Sequence, residues 1–194
     1  MPTGLVGSEM CIRDRAQGGD HAAFERLALV VSDRVHGVAF NVLRDSDQAE
    51  DATQQTLMAI WRDLPQLRDP ARFEAWVYRI AVRACYAEAR RTRRWLSVVS
   101  PWTGDGPTVS DADLEAVADR DQFDRAFRRL SVDQRTVIVL HHYLGLTIEQ
   151  VAETIGVSDG TVKSRLNRGC ARLRTALAVD ATDTGETTCM GVTR

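Results

Sequence analysis

The sequence predicts an all-α protein of two small helical domains joined by a flexible linker, the C-terminal one a helix-turn-helix. Apolar residues recur every three to four positions over 20–95 and again over 112–178, and no stretch alternates as a strand would. Between these regions, Ser97 to Asp111 carries two prolines and two glycines with little periodicity, which is the composition of a linker. Leu146 to Arg174 reads as two short helices around a tight turn, the second of them densely basic.

The first fifteen residues have no amphipathic period. Glu9 to Asp14 back-translates as GAG ATG TGT ATA AGA GAC, which resembles the transposon end used to prepare DNA sequencing libraries. Residues 1–15 therefore read as a non-native or disordered leader. The N-terminal domain is expected over 16–96. In its first helix, His21 to Leu43, Phe24, Leu27, Val31, Val35, Val38 and Val42 form one apolar face. Asp47 opens the second helix with Glu50 as its capping-box partner, and Ala49, Thr53, Leu57, Ile60 and Trp61 form its inward stripe. Leu64 to Arg68 is a loop broken by Pro65. Asp69 caps the third helix, with Pro70 at the first position, where its missing N–H costs nothing. Phe73, Trp76, Val77, Ile80, Ala81 and Ala84 make that helix's core face, and it runs to about Arg94.

The C-terminal domain is expected over 112–178. A helix from Ala112 to Leu130 comes first. A second, opened by the Ser131–Gln134 capping box, runs to Leu144 and is ended by Gly145. Thr147 with Gln150 caps the next helix, where Val151 and Ile155 share a face and Ala152 is small enough for close packing. Gly156 suits a left-handed helix end, and Ser158 caps the basic helix, whose inward stripe is Val162, Leu166 and Leu173. Residues 179–194 are polar and expected to be a disordered tail.

Composition narrows the function. A hydrophobic fraction of 44% with 27% charged residues fits a folded globular chain, and no apolar run is long enough to span a membrane. Cys11, Cys85, Cys170 and Cys189 are scattered without a C-x-x-C pair, so neither disulfides nor a metal site is implied, and the cytoplasm is the expected compartment. His141 and His142 are adjacent on a helix and point about 100° apart, so they cannot chelate one ion together. No paired carboxylates, nucleophile–base set or phosphate-cradling glycine loop is present, so neither catalytic residues nor a cofactor is expected.

The formal net charge of −2 argues against nucleic acid until its distribution is read. From Gly160 to Val179 there are five cations (Lys163, Arg165, Arg168, Arg172, Arg174) and no acid. Thr161, Lys163, Ser164, Asn167 and Arg168 lie mostly opposite the inward stripe, as in a helix that enters the DNA major groove. From Arg79 to Arg94 the third N-terminal helix carries Arg79, Arg83, Arg90, Arg91, Arg93 and Arg94 against a single acid, Glu88, a density that suits phosphate contact. The second opens with Asp47, Glu50 and Asp51, acids that the helix dipole alone would favour. A solvated basic face is the plainer reading of each arginine run, and a stand-alone helix-turn-helix regulator is the alternative function. That alternative asks for a dimer seam or ligand pocket in the N-terminal half, where neither is visible.

DSDQAEDATQQTLMAIWR, followed by RFEAWVYRIAVRACYAEARR, resembles the polymerase-binding and downstream-promoter-reading domain of the extracytoplasmic-function (ECF) sigma factors of bacteria. LTIEQVAETIGVSDGTVKSRLNRGCARLR resembles their upstream-element-reading domain, and the likeness covers roughly 16–178. It implies a factor that binds core RNA polymerase and directs promoter recognition, DNA opening and initiation. Asp47, Glu50, Asp51, Gln54 and Gln55 would dock on the clamp helices of the largest subunit, and Ser131 to Leu144 would meet the flap. The loop Leu64 to Phe73, which contains Arg72, would hold a flipped base of the −10 element, with Arg79, Arg83, Arg90 and Arg91 following the strand. Thr161, Lys163, Ser164, Arg165, Asn167 and Arg168 would engage the −35 element. Trp76 is expected in the core. An anti-sigma protein is a further partner that the resemblance allows. Gly169-Cys170 departs from the alanine-basic pair usual in the family, so the helix is expected to bend or fray there.

The linker is long enough, at up to about 3.3 Å per residue, for the domains to fold back on each other. The acids of Asp111 to Asp124 are then expected beside a basic surface, in a weak and salt-sensitive contact.

Overall fold

A computed structural model describes residues 7–99 and 118–186, all of whose regular elements are helical. Helix α1 spans Gly7–Gln17, α2 His21–Leu43, α3 Ser46–Asp63 and α4 Phe73–Val99, with 3-10 turns at Leu64–Gln66 and Pro70–Arg72 between the last two. After the gap come α5 (Ala118–Arg128), α6 (Val132–Ile138), a π-helical turn at Val139–Tyr143, α7 (Ile148–Ile155) and α8 (Asp159–Glu186). Most of the expected linker, residues 100–111, and the first part of the expected helix from Ala112 lie outside the described residues.

Local chemistry explains the helix ends. Asp20 accepts the Ala23 N–H at 3.1 Å, and α2 ends where Arg44 adopts a left-handed conformation (φ 58°) that lets its N–H reach the Phe40 carbonyl at 2.8 Å. That turn moves the next cap. Asp45, not Asp47, is extended and accepts the Gln48 N–H, so α3 starts at Ser46 and Asp47 lies inside its first turn. Asp69 caps as expected, through the Ala71 N–H at 3.0 Å.

Helix extends into both the expected leader and the expected tail, of which residues 1–6 and 187–194 lie outside the described residues. Residues from Gly7 onward are helical, because α1 docks on α2 and its Arg13 guanidinium donates to the Pro70 carbonyl at 2.8 Å. Gln17 likewise donates to the Leu67 carbonyl at 2.6 Å. At the other end, α8 continues to Glu186 instead of stopping near Ala178, since Ala176, Ala178 and Ala181 favour propagation and no breaker intervenes before Gly185.

One core lies between α2, α3 and α4, with Leu27, Val31, Val35, Ile60, Leu64, Phe73, Val77 and Ala81 buried and Trp76 packed on its rim. Trp61 leaves the stripe expected for it. It is 39% exposed and lies over His21 and Phe24, with ring centroids 4.7 and 4.5 Å away. The second core joins the two halves. Val38, Val42 and Leu43 of α2 and Val82 and Cys85 of α4 share it with Phe127, Leu130, Val137, Leu140, Val151 and Val162. A fully buried Val or Leu side chain contributes roughly 1.5–3 kcal/mol, so this seam is held by burial.

Polar contacts fix its edge. Arg135 donates to the Leu43 carbonyl at 3.1 Å, and Arg44 lies over the Phe40 and Phe127 rings (5.3 and 5.5 Å to the centroids) while pairing with Asp124. Burial, with Arg44 and Arg128 nearby, pushes the Arg135 guanidinium down to about 10, which leaves it charged at neutral pH.

Candidate nucleic-acid interface

The C-terminal unit is positioned by its turn. Thr147 and Gln150 form a reciprocal capping box at the start of α7, and Gly156 ends that helix in the left-handed conformation (φ 73°, ψ 40°). Ser158 accepts the Thr161 N–H at 3.3 Å and opens α8. Val151 and Val162 are wholly buried, so the opposite face of α8 is turned outward. Lys163, Asn167 and Arg168 are exposed there, while Thr161, Ser164 and Arg165 are half-buried. Arg168 curls back on Ser164, donating through Nε to its carbonyl (3.1 Å) and through Nη2 to its Oγ (3.0 Å). Arg165 points toward Asp133 at 3.4 Å. The same carboxylate accepts the Tyr86 hydroxyl at 2.8 Å, and burial pushes that phenol up to about 12.

The expected bend at Gly169 is absent, and α8 passes through it unbroken. A Cβ there would stand 3.0 Å from Ile138 Cδ1 and 3.3 Å from Gln134 Cβ. The glycine therefore leaves room for α8 to pack against Gln134 and Ile138 of α6.

The second basic surface runs along α4. Arg83, Arg90 and Arg91 are exposed on it, with Arg72 in the turn before the helix and Arg79 half-buried near its start. Arg72 pairs with Glu153 of α7, and Arg79 Nη2 lies 3.6 Å from the same carboxylate. Arg91 is shared between Asp51 (2.6 Å) and Glu88 (3.0 Å). Trp76 lies 6.0 Å from Phe73, centroid to centroid, at the core rim.

On α3, Asp47, Glu50 and Gln54 are exposed and close to the helix start. Asp51 is committed to Arg91, and the Gln55 amide donates to Glu88, whose side chain is almost wholly buried. Sequence reasoning did not single out Glu153 or Asp133, and saw Glu88 only as the lone acid among arginines. Their pairing is tertiary, so no local spacing signals it.

Of the acids expected beside a basic surface, only Asp124 falls among the residues whose side chains are described. Asp124 pairs with Arg44 at the seam. Glu153 and Asp133, from the folded C-terminal half, stand beside Arg72, Arg79 and Arg165. The remaining acids from 111 to 121 lack described side chains.

Among the described residues no cluster of three or more His, Cys, Asp or Glu could hold a metal ion, and no helix is long and apolar enough to cross a membrane. His141 Nδ1 lies 2.7 Å from the Leu146 carbonyl.

Residues 29–95 match the family model for sigma-70 region 2, and 120–173 match that for sigma-70, region 4. The chain is 34% identical over 167 residues to the ECF RNA polymerase sigma factor SigM of Mycobacterium tuberculosis, covering 82% of this chain and 78% of that one. It is 35% identical over 142 residues to SigL of the same species, covering 72% and 80%. Among solved structures, sigma factor RpoE in complex with the anti-sigma factor NepR, from Bartonella quintana, superposes with a TM-score of 0.65 at 29% identity, over 81% of this chain and 98% of that one.

Proposed function

The chain belongs to the ECF sigma factors of bacterial RNA polymerase, and from that premise we propose how its surface divides the work of starting transcription. As a sigma factor it binds the core enzyme and directs it to a particular class of promoters. The polymerase supplies the chemistry, and this chain supplies recognition and positioning.

The observation that carries the division of labour is the presence of two separate basic surfaces, on α8 and α4, with an exposed acidic patch at the start of α3. Asp47, Glu50 and Gln54 are proposed to meet the clamp helices first. Asp51 and Gln55 join them by exchanging their partners Arg91 and Glu88 for groups on the polymerase. Arg72, Arg79, Arg83, Arg90 and Arg91 are assigned to the −10 region, with the loop 64–73 holding a flipped base. Thr161, Lys163, Ser164, Arg165, Asn167 and Arg168 are assigned to the −35 element. Ser164 and Arg168 already act as a pair one helical turn apart, which suits base edges, whereas Lys163 and Arg165 flank them toward phosphates. An anti-sigma protein is proposed as a further partner, because the RpoE neighbour is held by one. The domain limits proposed for these roles are 16–96 and 112–178.

Mixing the purified chain with core polymerase tests this reading. The two should comigrate and initiate at a promoter selected from a random pool. Arg168→Ala should then change sequence preference at a cost of roughly 1–3 kcal/mol, while Lys163→Ala should weaken all sites alike and flatten the salt dependence. A chain that binds a specific site unaided and ignores the polymerase would be a stand-alone regulator.

A further inference from the structure

Two side chains of α1 reach the loop that precedes α4, and the promoter assignments leave both unused. Gln17 Nε2 donates to the Leu67 carbonyl at 2.6 Å, and Arg13 Nη1 donates to the Pro70 carbonyl at 2.8 Å. The loop's own sequence creates the need for them. Leu67 is extended (φ −68°, ψ 106°), and its carbonyl has no helical partner. Pro70, three residues on, carries no N–H, and Ala71, the next, gives its N–H to the Asp69 carboxylate. The Pro70 carbonyl takes the Phe73 N–H on one lone pair and Arg13 on the other. Arg13 is itself buried, with Nε and Nη2 held on Asp14 at 3.0 and 2.7 Å, which leaves Nη1 for the loop.

Arg13 and Gln17 stand one turn apart on α1, so they meet the loop from the same face of the helix. Ala16 beside them is buried, as are Leu64 and Phe73 at the two ends of the loop. The two carbonyls they hold bracket Arg68 and Asp69, both exposed, with Gln66 exposed just before. The backbone is thus tied on its inner side while these side chains face solvent. A recognition loop discriminates only as sharply as its backbone is held, because a segment free to change shape can accommodate the wrong base as well as the right one. We propose that Gln17 and Arg13 are positioning residues for promoter reading: without touching DNA, they fix the loop 64–73 in the shape that presents Gln66 and Arg68 to the −10 element. This inference rests on that loop being the reader of the element, as proposed above. Gln17 lies in the domain expected from residue 16 onward and Arg13 in the expected leader, so Gln17 carries the test.

Holoenzyme is reconstituted with the full-length chain and titrated with a selected promoter carrying a preformed bubble, with each of the four bases placed in turn at its preferred −10 position. Gln17→Met keeps the length of the side chain and loses the donor. It should reduce the preference for the selected base roughly 2- to 13-fold, the range that one hydrogen bond spans, and leave core affinity and the cost of −35 substitutions unchanged. Gln17→Lys keeps a donor and should restore most of the preference. A purely structural role would lower the melting temperature and leave base preference intact, and that result overturns the inference. So does an equal loss in Gln17→Met and Gln17→Lys, or a loss that falls equally on the −10 and −35 elements. A double variant, Gln66→Ala with Arg68→Ala, tests the premise. If it alters −10 preference while Gln17→Met does not, the loop reads the element and α1 does not position it. If neither alters it, the loop 64–73 is not the reader, and the proposed −10 assignment falls with the inference.

Discussion

Gly169 shows how a single residue can be misread from sequence and understood from packing. A glycine inside a helix costs roughly 1 kcal/mol relative to alanine, so Gly169→Ala would ordinarily stabilise α8. Here the added methyl would press on Gln134 Cβ at 3.3 Å, an atom fixed to the α6 backbone, and on Ile138 Cδ1 at 3.0 Å. Overpacking of this kind costs roughly 1–3 kcal/mol. Gly169→Ala is therefore expected to lower the melting temperature, and a stabilised variant in thermal unfolding would mean that α6 yields easily. Neither neighbour is close to Gly169 in sequence, which is why the residue read as a weak point of the helix. Arg44 was equally silent. Nothing in its own sequence position signals a left-handed residue, yet its conformation chooses the cap of the next helix.

At the scale of elements, what was legible was local. The capping boxes at Ser131 and Thr147 and the left-handed Gly156 close within three or four residues, so their side chains and spacing suffice. The start of α3 was harder, because two acids two residues apart, Asp45 and Asp47, each have a possible partner three positions on. The same crowding shapes a prediction about the polymerase contact. Glu50 is exposed, whereas Asp51 holds Arg91. Glu50→Lys should weaken binding to core polymerase and leave DNA contacts alone. Asp51→Lys should also disturb α4, since it places a cation beside Arg91. Loss of the exposed Asp51–Arg91 pair should itself cost only about 0–1 kcal/mol. Core affinity and bubble-template affinity, measured on both variants, separate the effects. A Glu50→Lys protein with unchanged core affinity and a lowered melting temperature would show that the acid serves only the dipole of α3.

For the whole molecule, the two halves were each visible in sequence and their union was not. The apolar stripes of α2 and α4 run past the N-terminal core, and periodicity cannot say that their far ends, Val38 to Leu43 and Val82 to Cys85, share a core with the C-terminal helices. The folded-back arrangement was expected as a weak electrostatic contact, but the seam is apolar and the ion pairs lie at its edge. This changes what salt should do. Screening acts on the exposed Arg72–Glu153 and Arg79–Glu153 pairs within a Debye length of about 8–10 Å, while burial of Val38, Val42, Leu130 and Leu140 is indifferent to it. Small-angle scattering of the free chain should therefore give a compact particle at both low and high salt. Glu153→Gln should keep that compact form, because the carboxylate is exposed and the packing of α4 on α7 remains, yet it should raise the free chain's affinity for single-stranded DNA by uncovering two arginines. Leu140→Asp, placed in the wholly buried seam, should instead expand the particle or unfold the C-terminal half, which circular dichroism would distinguish. A wild-type chain that expands with salt, or a Glu153→Gln variant with no gain for DNA, would mean that the C-terminal half does not mask α4 in the way the ion pairs imply.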